Sequence, residues 1–166
     1  MERLLVRPAD GDLLPEKVIY LCPSDTIENV ADKTAPSSAN FGLLVAMNAQ
    51  NVTDESILKG AKKLLSKGLA CLCAWGPDCK RVHNLFDIAA QEINDKLSGD
   101  DAIMTTWQPD ESIEEALWFF IHCEFVTEKF TKTCKDWIIA PIANSEWEQL
   151  IRSKTAHIAK SITEND

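Results

Sequence analysis

The chain has 166 residues, 45% of them hydrophobic and 26% charged, with a formal net charge of -9. That length fits one domain burying roughly two thirds of its unfolded surface, and that composition excludes wholesale disorder. The acidic balance argues against nucleic acid, whose binding is driven by Lys and Arg displacing counterions, and suits solubility or a basic partner protein.

Residues 1–16 (MERLLVRPADGDLLPE) carry charge throughout and hold no apolar core of signal-peptide length. They are expected to be loosely ordered. Val18–Cys22 is the first strand-like run, short, apolar and closed by Pro23. Ser24–Asn40 is long and polar, and reads as an extended loop or a marginal helix. Phe41–Ala49 is nearly all apolar, as strands covered on both faces are. Thr53–Lys67 has helical spacing, with Ile57, Ala61, Leu64 and Leu65 on one face. Thr53 or Asp54 serves as its N-cap and Gly68 as its stop, while Lys59, Lys62, Lys63 and Lys67 fall on its solvated side.

Leu69–Trp75 is a second apolar strand, and Pro77–Leu97 a helix striped by Val82, Leu85, Phe86, Ala89, Ile93 and Leu97. Pro77 is placed near its first position, where a missing N–H costs little. Ala102–Trp107 reads as a strand. Asp110 is the expected cap of a helix carrying Ile113, Ala116, Leu117, Phe120 and Ile121. The longest apolar stretch, Ala116–Val126, is interrupted by His122 and Glu124 and is too short to span a bilayer. Thr127–Lys135 is a turn or short helix, Trp137–Ile142 a strand, and Ser145 with Glu148 has the capping-box spacing of a last helix. Residues 162–166 read as a frayed tail. Strands alternating with helices of this length imply right-handed crossovers: a single three-layer α/β/α domain with about five mostly parallel strands, Rossmann-like or flavodoxin-like.

Six cysteines occur, none in a CxxC pair, and several lie in apolar runs, so free thiols in a cytoplasmic protein are expected. The glycine-rich dinucleotide and P-loop fingerprints, the GxSxG elbow and HExxH are all missing from the sequence. No cofactor or metal is therefore expected.

Ligands of open α/β sheets sit beyond the carboxyl ends of the strands. Those ends carry Cys22–Asp25, Asn48–Asn51, Trp75–Cys79, Thr105–Gln108 and Pro141. In the WGPDC loop, Cys79 in the first turn of a helix is the candidate reactive thiol, with Asp78 beside it and His83 one turn on. The alternative is that Asp78 neutralises a dipole, Cys79 packs and His83 is merely exposed. Trp75, Trp107, Trp118 and His122, with Asp78, Thr106 and Asp110, outline a possible aromatic-walled ligand pocket, against the alternative that these rings fill the core. Strand–WGPDC–helix superficially resembles the redox loop of thioredoxin, but with Cys79 alone in the loop disulfide exchange is not expected.

The runs AWGPDC (Ala74–Cys79), MTTW (Met104–Trp107) followed by Asp110-Glu111, and Trp118-Phe119 with His122-Cys123 resemble a small, uncharacterised bacterial domain family of Rossmann-like type. The resemblance covers about residues 41–143. Its members often carry His where this chain has Gln108, and the family implies the fold without implying an activity. Two functions follow: a binding or interaction module, with a protein partner or a second copy of itself, or a small enzyme or ligand sensor using Asp78, Cys79, Thr106 and Asp110 or Glu111.

Overall fold

A computed structural model describes residues 1–9, 15–93 and 102–163. Its elements are β1 (Glu2–Arg7), β2 (Lys17–Leu21), α1 (Ile27–Lys33), β3 (Asn40–Ala46), α2 (Asp54–Ser66), β4 (Leu69–Trp75), α3 (Cys79–Ile93), β5 (Met104–Gln108), α4 (Ile113–His122), β6 (Cys134–Pro141) and α5 (Ser145–Thr163). The six strands form one sheet in the order β1-β2-β6-β3-β4-β5. β1 runs antiparallel to β2, and every other pairing is parallel.

The mixed sheet follows from the spacing of strands and helices, because parallel neighbours need a crossover and a helix supplies it. Alternate residues of the inner strands then enter different apolar clusters. Leu43, Val45, Leu72 and Ala74 pack with Ile27, Ile57 and Phe86 from α1, α2 and α3. Leu44, Ala46, Cys71 and Cys73 pack with Leu117, Phe120 and Ile151 from α4 and α5. β3 and β4 are consequently buried almost throughout, which is why they read as continuous apolar runs.

Several expectations require correction. The sheet has six strands rather than about five, because residues 2–7, expected to be loosely ordered, form β1. It escapes notice since it is an edge strand, with charge at both ends and Leu5 and Arg7 its only buried residues. Within Ser24–Asn40 the marginal-helix alternative holds for residues 27–33. Thr26 accepts the Asn29 N–H and starts α1, which buries only Ile27, Val30 and Ala31, too few for a visible period. Ser112, not Asp110, caps α4, in a reciprocal capping box with Glu115. Asn144, rather than Ser145, accepts the Trp147 N–H at the start of α5. α5 continues to Thr163, so residues 162–163 are helical. Pro77 precedes α3 by two residues instead of opening it, and Leu97 lies outside the described residues. Thr53 does cap α2, and Gly68 (φ 97) follows it in the left-handed region that favours glycine.

Candidate functional site

β4 and β5 are parallel neighbours in register, Ala74 beside Trp107 and Trp75 beside Gln108, so the WGPDC and TTWQ turns leave the sheet on one rim. Register also decides which way their rings point. Trp107 shares a side with Ala74 and faces α3, its ring 4.5 Å from that of His83. Trp75 is one position on, so it points to the other side, packs edge-on against Trp147 at 4.9 Å, and donates its indole N–H to the Glu111 carbonyl. The two tryptophans therefore sit on opposite faces and do not wall one pocket.

The other proposed residues separate in the same way. Asp78 adopts φ 66 ahead of α3, and its carboxylate accepts from Arg81 Nε at 2.6 Å. Arg81 also reaches Asp54 and the Ala49 and Val52 carbonyls, clamping the turn after β3 to the turn after β4. Cys79 is buried at 2% exposure. Burial pushes its thiol up, against a smaller pull from backbone hydrogen bonds of Gln108 and Lys80, the opposite of what a helix-activated thiolate needs. His83 does not turn to Cys79. Its Nε2 lies 3.1 Å from Thr105 Oγ1, and that hydroxyl donates to Asp87 Oδ1 at 2.8 Å. Thr106, on the reverse face, donates to Glu124 Oε2. Asp110 is exposed. Trp118 and His122 stack at 5.2 Å on the outer side of α4, where burial, with the Arg7 and Lys17 charges, lowers the His122 pKa.

A different sector of the same rim is open. Beyond the ends of β2 and β6 lies a polar cleft of about 570 Å³, lined by Pro23, Ser24, Asp25, Lys33, Asn144 and Glu148 among others. Its floor is stitched by the Ser24 N–H to the Pro141 carbonyl and the Ala143 N–H to the Ser24 carbonyl. Ala143 holds φ 51, an uncommon conformation for a residue with a Cβ. Lys33 donates to the Pro23 carbonyl, and Glu148 pairs with Arg152, leaving the Asp25 carboxylate exposed to solvent. The sequence names both strand ends as candidates. It contains no sign that the room lies there rather than at WGPDC.

A second cluster sits at the opposite end of the strands and has no sequence signal at all. Lys17, 1% exposed, donates to the Phe120 and Glu124 carbonyls at 2.9 and 2.6 Å, and its ammonium lies 3.6 Å from the centre of the Trp137 ring. Two carbonyls and a π face occupy its three donors, so it closes the carboxyl end of α4. Burial, aided by the Arg7 charge, lowers its pKa to about 8. Glu124, buried beside it, accepts from Thr106 and Cys71, and burial raises its pKa. Cys73 and Cys134 are pushed up to about 12 by burial. These thiols are inert at neutral pH, and all six cysteines are free.

Among the described residues no three His, Cys, Asp or Glu side chains group as metal ligands, and no helix is long and apolar enough to cross a membrane. The molecule is thus an α/β protein with a mostly parallel six-stranded sheet, a polar cleft at the strands' carboxyl ends and a closed ionic cluster at their amino ends. Residues 17–158 match the model of a Domain of unknown function (DUF7684), and the chain belongs to that family. The match begins at Lys17, so β1 lies ahead of it. No curated protein matches the chain.

Proposed function

We propose that this chain is a binding module whose ligand is a small polar molecule rich in hydrogen-bond donors, amine or hydroxyl, seated in the cleft beyond β2 and β6. The observation carrying the reading is that cleft: about 570 Å³ of polar-lined space with an exposed Asp25 carboxylate. Ligands of open α/β sheets occupy this position, and two carboxylates, Asp25 and Glu148, against one ammonium, Lys33, favour donors over anions. The fold behind the reading is a Rossmann-like three-layer domain spanning the chain, supported by the division of helices between two apolar clusters. Buried free thiols support a reducing, cytoplasmic setting.

The test is an amide NMR titration with a panel of amino acids, polyamines and sugars. Binding in the cleft moves the signals of residues 23–25 and 143–148, and Asp25→Asn weakens it. A panel that leaves those signals still, or moves only those around His83 and Trp107, overturns the proposal. A second reading has its own observation: Trp118 on α4 is 53% exposed and Phe125, in the segment after α4, 58%, so this side offers aromatic surface to a protein partner or a second copy. Shifts at Trp118 and His122 that grow with protein concentration alone would select it.

A further inference from the structure

The two edges of the sheet are built differently. β1, at one edge, carries Glu2, Arg3 and Arg7, breaks register between Arg3 and Leu5, and has Glu2 tied to Arg152 of α5. Charges and bulges are the usual defences of an edge against further strand pairing. β5, at the other edge, has none of them. Its five residues, Met104–Gln108, include no charge, proline or glycine, and it pairs with β4 without irregularity. Thr and Trp are strong strand formers.

Such an edge leaves alternate N–H and C=O groups pointing away from its one neighbour. Among the described residues no strand lies beyond β5, and no backbone hydrogen bond from outside the sheet reaches residues 104–108. The side chains along it are open as well, with Trp107 39% exposed. The charges around it are mostly negative. Asp87 of α3 flanks the strand and accepts from Thr105, and Asp110 and Glu111 stand exposed just past its carboxyl end. Lys80, 5.9 Å from the centre of the Trp107 ring, is the ammonium on that side. At the amino end Glu128 and Lys129 follow Thr127, which donates to the Ala102 carbonyl, and their charges offset each other.

We infer that β5 takes up an extended, basic segment of a partner protein as an added strand. Main-chain hydrogen bonds run along the edge, an aliphatic side chain lies against Trp107, and Lys or Arg side chains reach Asp87, Asp110 and Glu111. Charge decides the occupant. Three carboxylates against one ammonium, on a chain of net charge -9, attract a basic strand. A second copy would bring the same carboxylates and another -9 to the edge, and like charges repel. β3 and β4 separate this edge from β6 and the strand-end cleft, so it stands or falls separately from the ligand proposed above.

The experiment follows amide signals and amide hydrogen exchange of the intact protein as a short blocked peptide of alternating lysine and valine is added. The signals of residues 104–108 are expected to shift saturably, and binding to weaken as salt rises. Alternate amides of β5 should exchange about tenfold more slowly in the complex. A peptide with glutamate for lysine is expected to leave the strand unmoved. One with proline for valine, equally charged but unable to complete a ladder, should bind about fivefold more weakly. Asp110→Asn combined with Glu111→Gln is expected to weaken the lysine peptide about threefold. Unmoved signals at 104–108, equal shifts with the glutamate or proline peptide, or shifts confined to residues 23–25 or to Trp118 and Phe125 overturn the proposal. So does unchanged affinity in the doubly substituted chain. Protection of β5 that grows with protein concentration alone overturns it too, and makes a second copy the occupant.

Discussion

At the carboxyl ends of the strands the polar groups are arranged in the open: Arg81 ties Asp54 and Asp78 at the surface, and Asp25 faces solvent. At the amino ends of the same strands a lysine, a glutamate and the thiols of Cys71 and Cys134 are almost fully shut in. The two ends divide the work of polar residues differently. On the rim, charges are screened by water, and each pair contributes little to stability. Inside, a single charge must be met by carbonyls and a π face, and failing to meet it is costly. Polarity at the rim marks room for a ligand, whereas polarity at the closed end is first of all part of the framework.

Substitutions should separate the two ends by size of effect. The largest is expected at the closed end from Gly42→Ala. Its new Cβ would meet the Trp137 ring at 2.5 Å, and with the indole fully buried the overpacking should cost about 3 kcal/mol, read as a lowered denaturation midpoint. A loss below about 0.5 kcal/mol would show that the ring moves freely and break the picture of a rigid closed end.

Lys17→Met gives a subtler outcome. Orphaning two carbonyls costs about 1–3 kcal/mol, while removing a desolvated charge returns a similar amount, so the net change at neutral pH should be within about 1 kcal/mol. The signature is pH dependence. With its folded pKa near 8 and an ordinary lysine value of 10.5, Lys17 binds fewer protons folded than unfolded between those values, so stability should rise as pH climbs through 8. Above about 9 the raised thiols act in reverse, because Cys73 and Cys134 keep their protons to about 12 when folded. From about pH 7.5 to 8.5 the wild-type chain should gain roughly 0.7 kcal/mol relative to Lys17→Met, the thiols being common to both. Equal slopes in urea melts of the two proteins would remove Lys17 from the account. Arg81→Ala, at the rim, should cost least, about 0.5 kcal/mol, with faster amide exchange confined to the turns after β3 and β4. A global loss matching that of Gly42→Ala would erase the distinction between the ends.

What the sequence made legible was whatever depends on near neighbours. The apolar runs of β3 and β4, the Thr53 cap and the Gly68 stop all declare themselves within a few residues. The common rim of WGPDC and TTWQ also followed, because parallel strands put successive turns at one end. Which way a ring points from that rim depends on register, and a single position moves Trp75 from the side of Trp107 to the reverse. β1 and α1 bury too few apolar residues to stand out from polar chain. Lys17 and Glu124 were invisible for a further reason: they read as ordinary surface charges until the fold brings β2 against the end of α4.

That meeting has a consequence for how the chain reaches its final form. Lys17 lies 103 positions from the Phe120 carbonyl and 107 from that of Glu124. A contact closing so large a loop comes late, after shorter ones have repaid their entropy. The final turn of α4 thus remains unfinished in any folding intermediate until β2 has aligned with β6, and it is the segment whose protection should appear last in a pulse-labelled refolding reaction.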